Sequence, residues 1–349
     1  MLTERRLLSS NYSYLSFSFG LCLIVSLAFR GNELGTDTSR YIDFFSNLDL
    51  HSSVIFFEHR FGFSFISVMY IFKLIFNNVH VFFTFVILSL YYSTFRLFKS
   101  FLTPSTTSLF LVFICFYPFY LNYSVNTIRA GLALSFALLF LSNFLVNKKI
   151  TVTNILFLIV SISIHKATLL FFIPILFYNL RTRNLLVLWV VAFTFSFMSG
   201  LLSPLLKVVF GSLPYFKDYY LYFNSEFVDN VNYGGEAVFY LKLIGTVPVL
   251  LFLILNYMLK VEFKKGVIQL FNYFIILNSL YLIFSFIPFS DRIGSYSWVL
   301  MPGILFSFYD SVNLGRHKAS LNTFALFLVF IFILISEYYY GYYKGILFI

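Results

Sequence analysis

Long apolar runs, separated by short loops that carry most of the cations, limit this chain more than any other feature. Residues 109–123 and 130–146, 155–164 and 167–180, 185–202 and 241–259, and 267–289 and 296–309 form successive pairs between basic loops, and 321–336 stands alone at the end. Only helices and closed barrels satisfy their own backbone polar groups in lipid, and a crossing helix uses about 20 mostly apolar residues. The chain is 60% apolar and 11% charged, against about a quarter charged in soluble proteins, which excludes a water-soluble enzyme. About twelve helices of about 20 residues take up about 240 positions, leaving roughly a third of the 349 residues for loops and no room for a separate soluble domain. The expected fold is therefore an all-α, polytopic integral membrane protein forming a single domain over 1–349.

The charges orient it. Of 24 Lys and Arg, 13 lie at the start or in five short loops: Arg5 and Arg6, Arg96 and Lys99, Lys148 and Lys149, Arg181 and Arg183, Lys260 with Lys264 and Lys265, and Arg316 with Lys318. The positive-inside rule makes these the cytoplasmic face. Ten acids occupy the intervening stretches, Glu33, Asp37, Asp43, Asp49, Glu58, Asp218, Glu226, Asp229, Glu236 and Asp291. The two longest outward segments, approximately 30–60 and 203–242, are expected to be periplasmic. Cations scattered through short loops do not form the stripe that nucleic acid requires, so no nucleic-acid partner is expected.

Parity fails in the first hundred residues, where three runs (15–29, 61–76 and 81–97) lie between two basic markers. The run 61–76 carries Lys73 and is expected to dip into the bilayer and return, giving eleven or twelve crossings. The basic start followed by 15–29 has the shape of a secretory signal without an A-x-A-like cleavage site, and is expected to be an uncleaved anchor. Cys22 and Cys115 sit inside apolar runs, which offers neither a disulfide framework nor a metal cluster. Neither a metal nor a cofactor is expected.

Four polar stretches interrupt this background. In the first outer segment, Gly35-Thr36-Asp37-Thr38-Ser39-Arg40-Tyr41 precedes Phe57-Glu58-His59-Arg60-Phe61-Gly62-Phe63. The short polar residues around Asp37 favour a turn, and either carboxylate suits a sugar hydroxyl; a solvated loop with a helix-capping acid is the alternative. Asn126-Thr127-Ile128-Arg129-Ala130-Gly131 opens an apolar helix at its outer end. An arginine there is costly unless paired or facing a polar cavity, and its fork fits phosphate oxygens; snorkelling to the membrane edge is the alternative. His165, between two short runs, is either a hydrogen-bonded interface residue or a base near neutral pH. Asp291-Arg292 with Tyr296 is either a surface pair or, with Arg129, a second guanidinium for a pyrophosphate.

These stretches, in this order, resemble the EpsG-like branch of the Wzy-type O-antigen polymerases. The family pattern of G-x-D with a following Tyr, E-x-G-F, N-x-I-R-Q-x-x-A, H-x-[ST] and R-x-x-x-Y is met by Gly35 to Asp37 with Tyr41, Glu58 to Phe63, Asn126 to Ala133, His165 to Thr168, and Arg292 with Tyr296. Ala130 replaces the usual Gln, His59 and Arg60 are extra, and Thr168 is one place late. The resemblance implies transfer of a growing polysaccharide from undecaprenyl pyrophosphate onto the terminal sugar of a new lipid-linked repeat unit. It places this chemistry at the periplasmic face of a bacterial inner membrane, with a chain-length regulator protein as a further partner. In that scheme His165, Asp37 and Glu58 are catalytic candidates, Arg129 and Arg292 hold the pyrophosphate, and Tyr41 and Tyr296 bind sugar. Three rivals stand beside it: a flippase for the same lipid-linked oligosaccharide, a membrane glycosyltransferase or ligase, and a structural subunit of an export complex, which would require none of these polar residues.

Overall fold

The computed structural model describes residues 17–31, 35, 37–48, 61–211, 236–285 and 290–312. Every regular element among them is helical. In chain order they are α1 (Phe17–Phe29), α2 (Thr38–Ser46), α3 (Phe63–Phe76), α4 (Val79–Phe98), α5 (Pro104–Ile114), α6 (Pro118–Val125), α7 (Ile128–Asn147) and α8 (Val152–Ile164). There follow α9 (Lys166–Phe177), α10 (Thr182–Gly211), α11 (Glu236–Ile244), α12 (Thr246–Leu253), α13 (Lys265–Ile283), α14 (Asp291–Trp298) and α15 (Met301–Ser311). By length and composition α4, α7, α13 and the span Tyr240–Met258 can each cross a membrane, and α5 with α6 makes a fifth candidate if the bent pair is one span. Five shorter apolar helices accompany them: α1, α3, α8, α9 and the first part of α10, Thr182–Met198. The protein is thus an all-helical, polytopic, membrane-embedded chain. The run 321–336, Glu58 and most of both long outer segments lie outside the described residues.

Proline explains where helices depart from the apolar runs. The run 109–123 reads as one crossing, but it divides into α5 and α6, bent by 60°. Pro118 has no N–H to donate and pushes the residue before it out of the helical region; Tyr117 is extended, at φ −80° and ψ 116°. The run 296–309 likewise divides at Val299 and Leu300, with Pro302 in the first turn of α15. Lys148 and Lys260, both in basic loops, take left-handed φ values of 55° and 51° just past helical segments, where a cation also suits the carbonyl end of the helix.

The described residues up to Leu169 form one compact unit, and Leu170–Ser311 form a second. In the first, α4 and α7 run side by side in the same direction. Arg96 Nη2 donates to Asn143 Oδ1 at 3.1 Å near their ends, and their starts are joined through Arg30. The next helix, α8, returns antiparallel to α7, fixed by two bonds that cross between helices. Ser161 Oγ donates to the Ala133 carbonyl at 2.8 Å and Asn154 Nδ2 to the Phe140 carbonyl at 3.1 Å. Inside lipid such polar side chains hold helices together because water cannot compete for them.

The short helix α3 lies in the stretch where parity fails. Its 14 residues reach about 21 Å at 1.5 Å per residue, short of the roughly 30 Å of hydrocarbon. It packs beside α2 at the starting end of α4: Phe61 stacks on Tyr41, Phe65 and Phe72 meet Phe82, and Phe72 meets Phe85. Lys73 does not face lipid alone, because its Nζ donates to the carbonyls of Phe45 and Ser46 at 2.7 and 2.6 Å. The cation caps two carbonyls at the end of α2.

The second unit is knitted by a buried polar chain. Trp189 Nε1 on α10 donates to Asn278 Oδ1 on α13 at 2.8 Å, and Asn278 Nδ2 donates to Ser297 Oγ on α14 at 3.3 Å. Gly245 lets the α11–α12 junction pass directly over the Asn278 amide, where a Cβ would overlap it. Phe252, Phe263, Phe271 and Phe308 fill the opposite end with ring centroids 4.3–5.9 Å apart.

Candidate functional site

The site is built on the end of the first unit where α4 and α7 begin. The register between α7 and α8 is set by the pairs 161 with 133 and 154 with 140, and it brings His165 to the level of Arg129. His165 ends α8 in an extended conformation, its N–H donating to the Ser161 carbonyl at 3.1 Å and its own carbonyl accepting from Thr168 at 2.9 Å. Arg129 occupies the first turn of α7, and both residues are half-buried. Thr127 precedes that turn without a side-chain cap. The amide end of α7 therefore adds its partial positive charge to the guanidinium, an arrangement that favours an anion.

The glycine in this helix is required by contact. A Cβ on Gly131 would collide with the Tyr123 carbonyl oxygen of α6, so the small residue lets the α6–α7 elbow close just before Arg129. Gly131→Ala is expected to overpack this joint at a cost of about 1–3 kcal/mol, read as a lower melting temperature of the detergent-solubilised protein. An unchanged melting curve would show that the elbow has room to relax.

The turn bearing Asp37 is docked on the same elbow. Gly35 has φ +89°, a left-handed conformation natural only to glycine, and a Cβ there would lie 2.5 Å from Asn126 Oδ1 and 2.7 Å from Val125 Cγ1. Asp37 starts α2, but its carboxylate makes no capping bond. It pairs instead with the exposed Arg40 at 2.9 Å. Asp37, Arg129 and His165 are thus carried at one end of one unit, on α2, α7 and α8.

The tyrosines have a different setting from the open platforms that sugar stacking suggests. Tyr41 is 5% exposed, stacked on Phe61 and edge-on to Phe65. Tyr296 is 2% exposed and edge-on to Phe171. Arg292 is exposed on α14, in the second unit, with Asp291 beside it. Glu58 lies outside the described residues. Among the described residues no three His, Cys, Asp or Glu side chains gather as metal ligands.

Sequence reasoning passed over Arg30, which it treats as the boundary of the first run. The structure buries it to 1% exposure. Its Nε donates to Thr38 Oγ1 at 3.0 Å, Nη1 to the Leu27 carbonyl at 2.8 Å and Nη2 to the Val125 carbonyl at 3.1 Å. The guanidinium also lies 4.3 Å over the Phe83 ring. Burial lowers its pKa to about 10, which leaves it cationic at neutral pH. The signal available was a lone cation closing an apolar run five residues before Gly35.

Comparison with curated proteins and with solved structures returned no match. A family model does match, over residues 13–347, almost the whole chain and every motif stretch described above, and on that ground the chain belongs to the EpsG family.

Proposed function

We propose that the protein is a polysaccharide repeat-unit polymerase of the O-antigen type. It moves a growing chain from undecaprenyl pyrophosphate to the terminal sugar of a fresh lipid-linked repeat unit, at the periplasmic face of the inner membrane. Membership of a family associated with Wzy-like polymerases and membrane glycosyltransferases supports the class. The observation that carries the reading is the shared end of Asp37, Arg129 and His165: the Ser161 and Asn154 bonds set His165 level with Arg129, and Gly35 seats the Asp37 turn against Val125 and Asn126.

In the reaction an acceptor hydroxyl attacks the anomeric carbon of the donor. The bond from that carbon to the pyrophosphate oxygen breaks, the hydroxyl proton passes to a base, and undecaprenyl pyrophosphate departs. Pyrophosphate is already a good leaving group, so positioning and charge stabilisation supply much of the rate. In this scheme Arg129 and the amide end of α7 take the donor phosphates, and Arg292 is proposed from its motif alone as a pyrophosphate-binding residue. His165 receives the proton, while Asp37 and Glu58 orient sugar hydroxyls. Tyr41 and Tyr296 are the sugar-binding candidates of the scheme.

The test is purified protein in liposomes with lipid-linked repeat units. Products lengthened by whole repeats, together with free undecaprenyl pyrophosphate, are expected. Transport of the substrate across the bilayer without lengthening identifies a flippase, and transfer to a different acceptor identifies a ligase; either result replaces the polymerase reading.

A further inference from the structure

A cation taken out of water normally needs an acid beside it. Arg30 has none among the described residues, and its partners instead are two helix ends. The Leu27 carbonyl lies in the last turn of α1, and the Val125 carbonyl is the final one of α6. Carbonyls in the last turn of a helix lack intrahelical partners and carry the negative end of the helix dipole. His80 answers the adjacent Ala28 carbonyl at 2.8 Å, so the end of α1 is closed by Arg30 and His80 together.

The third donor does something the first two do not. Nε reaches Thr38 Oγ1, and that hydroxyl lies 3.5 Å from the same Val125 carbonyl as its own acceptor. Thr38 is the first residue of α2, next to Asp37, and Val125 lies four residues before Arg129. One planar group therefore joins α1, the start of α2 and the α6–α7 elbow. Three acceptors in three directions need the guanidinium fork; an ammonium on a flexible stem has no equivalent geometry.

We propose that Arg30 is a positioning residue: it locks the Gly35–Thr38 turn onto the Val125–Asn126 elbow and so fixes where Asp37 stands relative to Arg129. It touches no substrate and acts through the residues it holds. This deepens the polymerase reading and rests on it for the catalytic consequence, while the lock itself is measurable without turnover.

The experiment pairs hydrogen–deuterium exchange of the detergent-solubilised full chain with chain extension in liposomes, for wild type, Arg30→Lys, Arg30→Gln, Thr38→Val and Thr38→Ser. In Arg30→Lys, Arg30→Gln and Thr38→Val the α2 amides are expected to exchange at least about tenfold faster, with those of the middle of α7 unchanged. Extension is expected to fall by about tenfold or more, and Thr38→Ser, which keeps the acceptor, to retain both properties. Adding Arg30→Gln to Asp37→Asn is expected to cost little beyond the slower single variant, as for residues acting as a unit.

Wild-type exchange in Arg30→Lys and Thr38→Val would remove the lock. Faster exchange throughout α7 would make Arg30 a general support of the fold, and a loosened α2 with full extension activity would detach the lock from the site; either outcome overturns the positioning role. If wild-type protein does not lengthen repeat units at all, the polymerase reading fails, while α2 exchange still decides the lock.

Discussion

Arg129→Lys is expected to abolish nearly as much chain extension as Arg129→Ala, a loss of about a hundredfold in rate with normal amounts of protein in the membrane. Arg129 sits in the first turn of α7, at an uncapped amide end and level with His165. A guanidinium there holds two phosphate oxygens along parallel N–H bonds, whereas an ammonium offers one point charge. Each charge-assisted bond contributes about 1.5–3 kcal/mol, and about 1.4 kcal/mol is a factor of ten. Losing the geometry of the fork therefore costs almost what losing the charge does. The measurement is the rate at which lipid-linked repeats lengthen in liposomes, together with the length ladder in cells. Arg292→Ala is expected to show a comparable loss, because its motif assigns it to the pyrophosphate in the proposed scheme. Wild-type ladders from either alanine variant at normal expression would eliminate the pyrophosphate role of that residue.

The helical, membrane-embedded class was legible because lipid leaves a chain few options: low charge and repeated apolar runs admit little else. Helix breaks were less legible. A run such as 109–123 keeps its hydropathy through Tyr117 and Pro118, so hydropathy alone hides the 60° bend between α5 and α6. The motif residues Arg129 and His165 stood out as polar groups inside apolar surroundings, but their common level did not. That depends on Ser161 and Asn154, two ordinary polar residues whose bonds to Ala133 and Phe140 set the register. Arg30 was hidden for a related reason. A cation at the end of an apolar run reads as a membrane boundary, and only the packed structure turns it inward to two helix ends and a hydroxyl. The packing of the motif tyrosines was hidden as well: Tyr41 and Tyr296 are buried against phenylalanines.

His165→Ala is expected to lower turnover by about 10²–10⁴-fold, the usual contribution of a positioned acid or base, while donor binding changes by no more than a few-fold. The contrast with Asp37 is structural. The Asp37 carboxylate is engaged by Arg40 at 2.9 Å and is 34% exposed, whereas a carboxylate in general needs burial to serve as a base near neutral pH. An imidazole accepts a proton near neutral pH without such tuning, and His165 is held at its level by the α8 backbone, through its N–H to the Ser161 carbonyl. Asp37→Asn keeps the shape and hydrogen bonding of the side chain, so it is expected to raise the substrate concentration needed for half-maximal rate more than it lowers the maximal rate. Separate measurement of kcat and donor binding for His165→Ala, Asp37→Asn and Glu58→Gln decides between them. If His165→Ala extends chains at the wild-type rate while Asp37→Asn or Glu58→Gln does not, the proton goes to a carboxylate and the two roles are exchanged. Full activity in all three moves the chemistry to the second outer segment, where Asp218, Glu226, Asp229 and Glu236 supply the carboxylates to replace next.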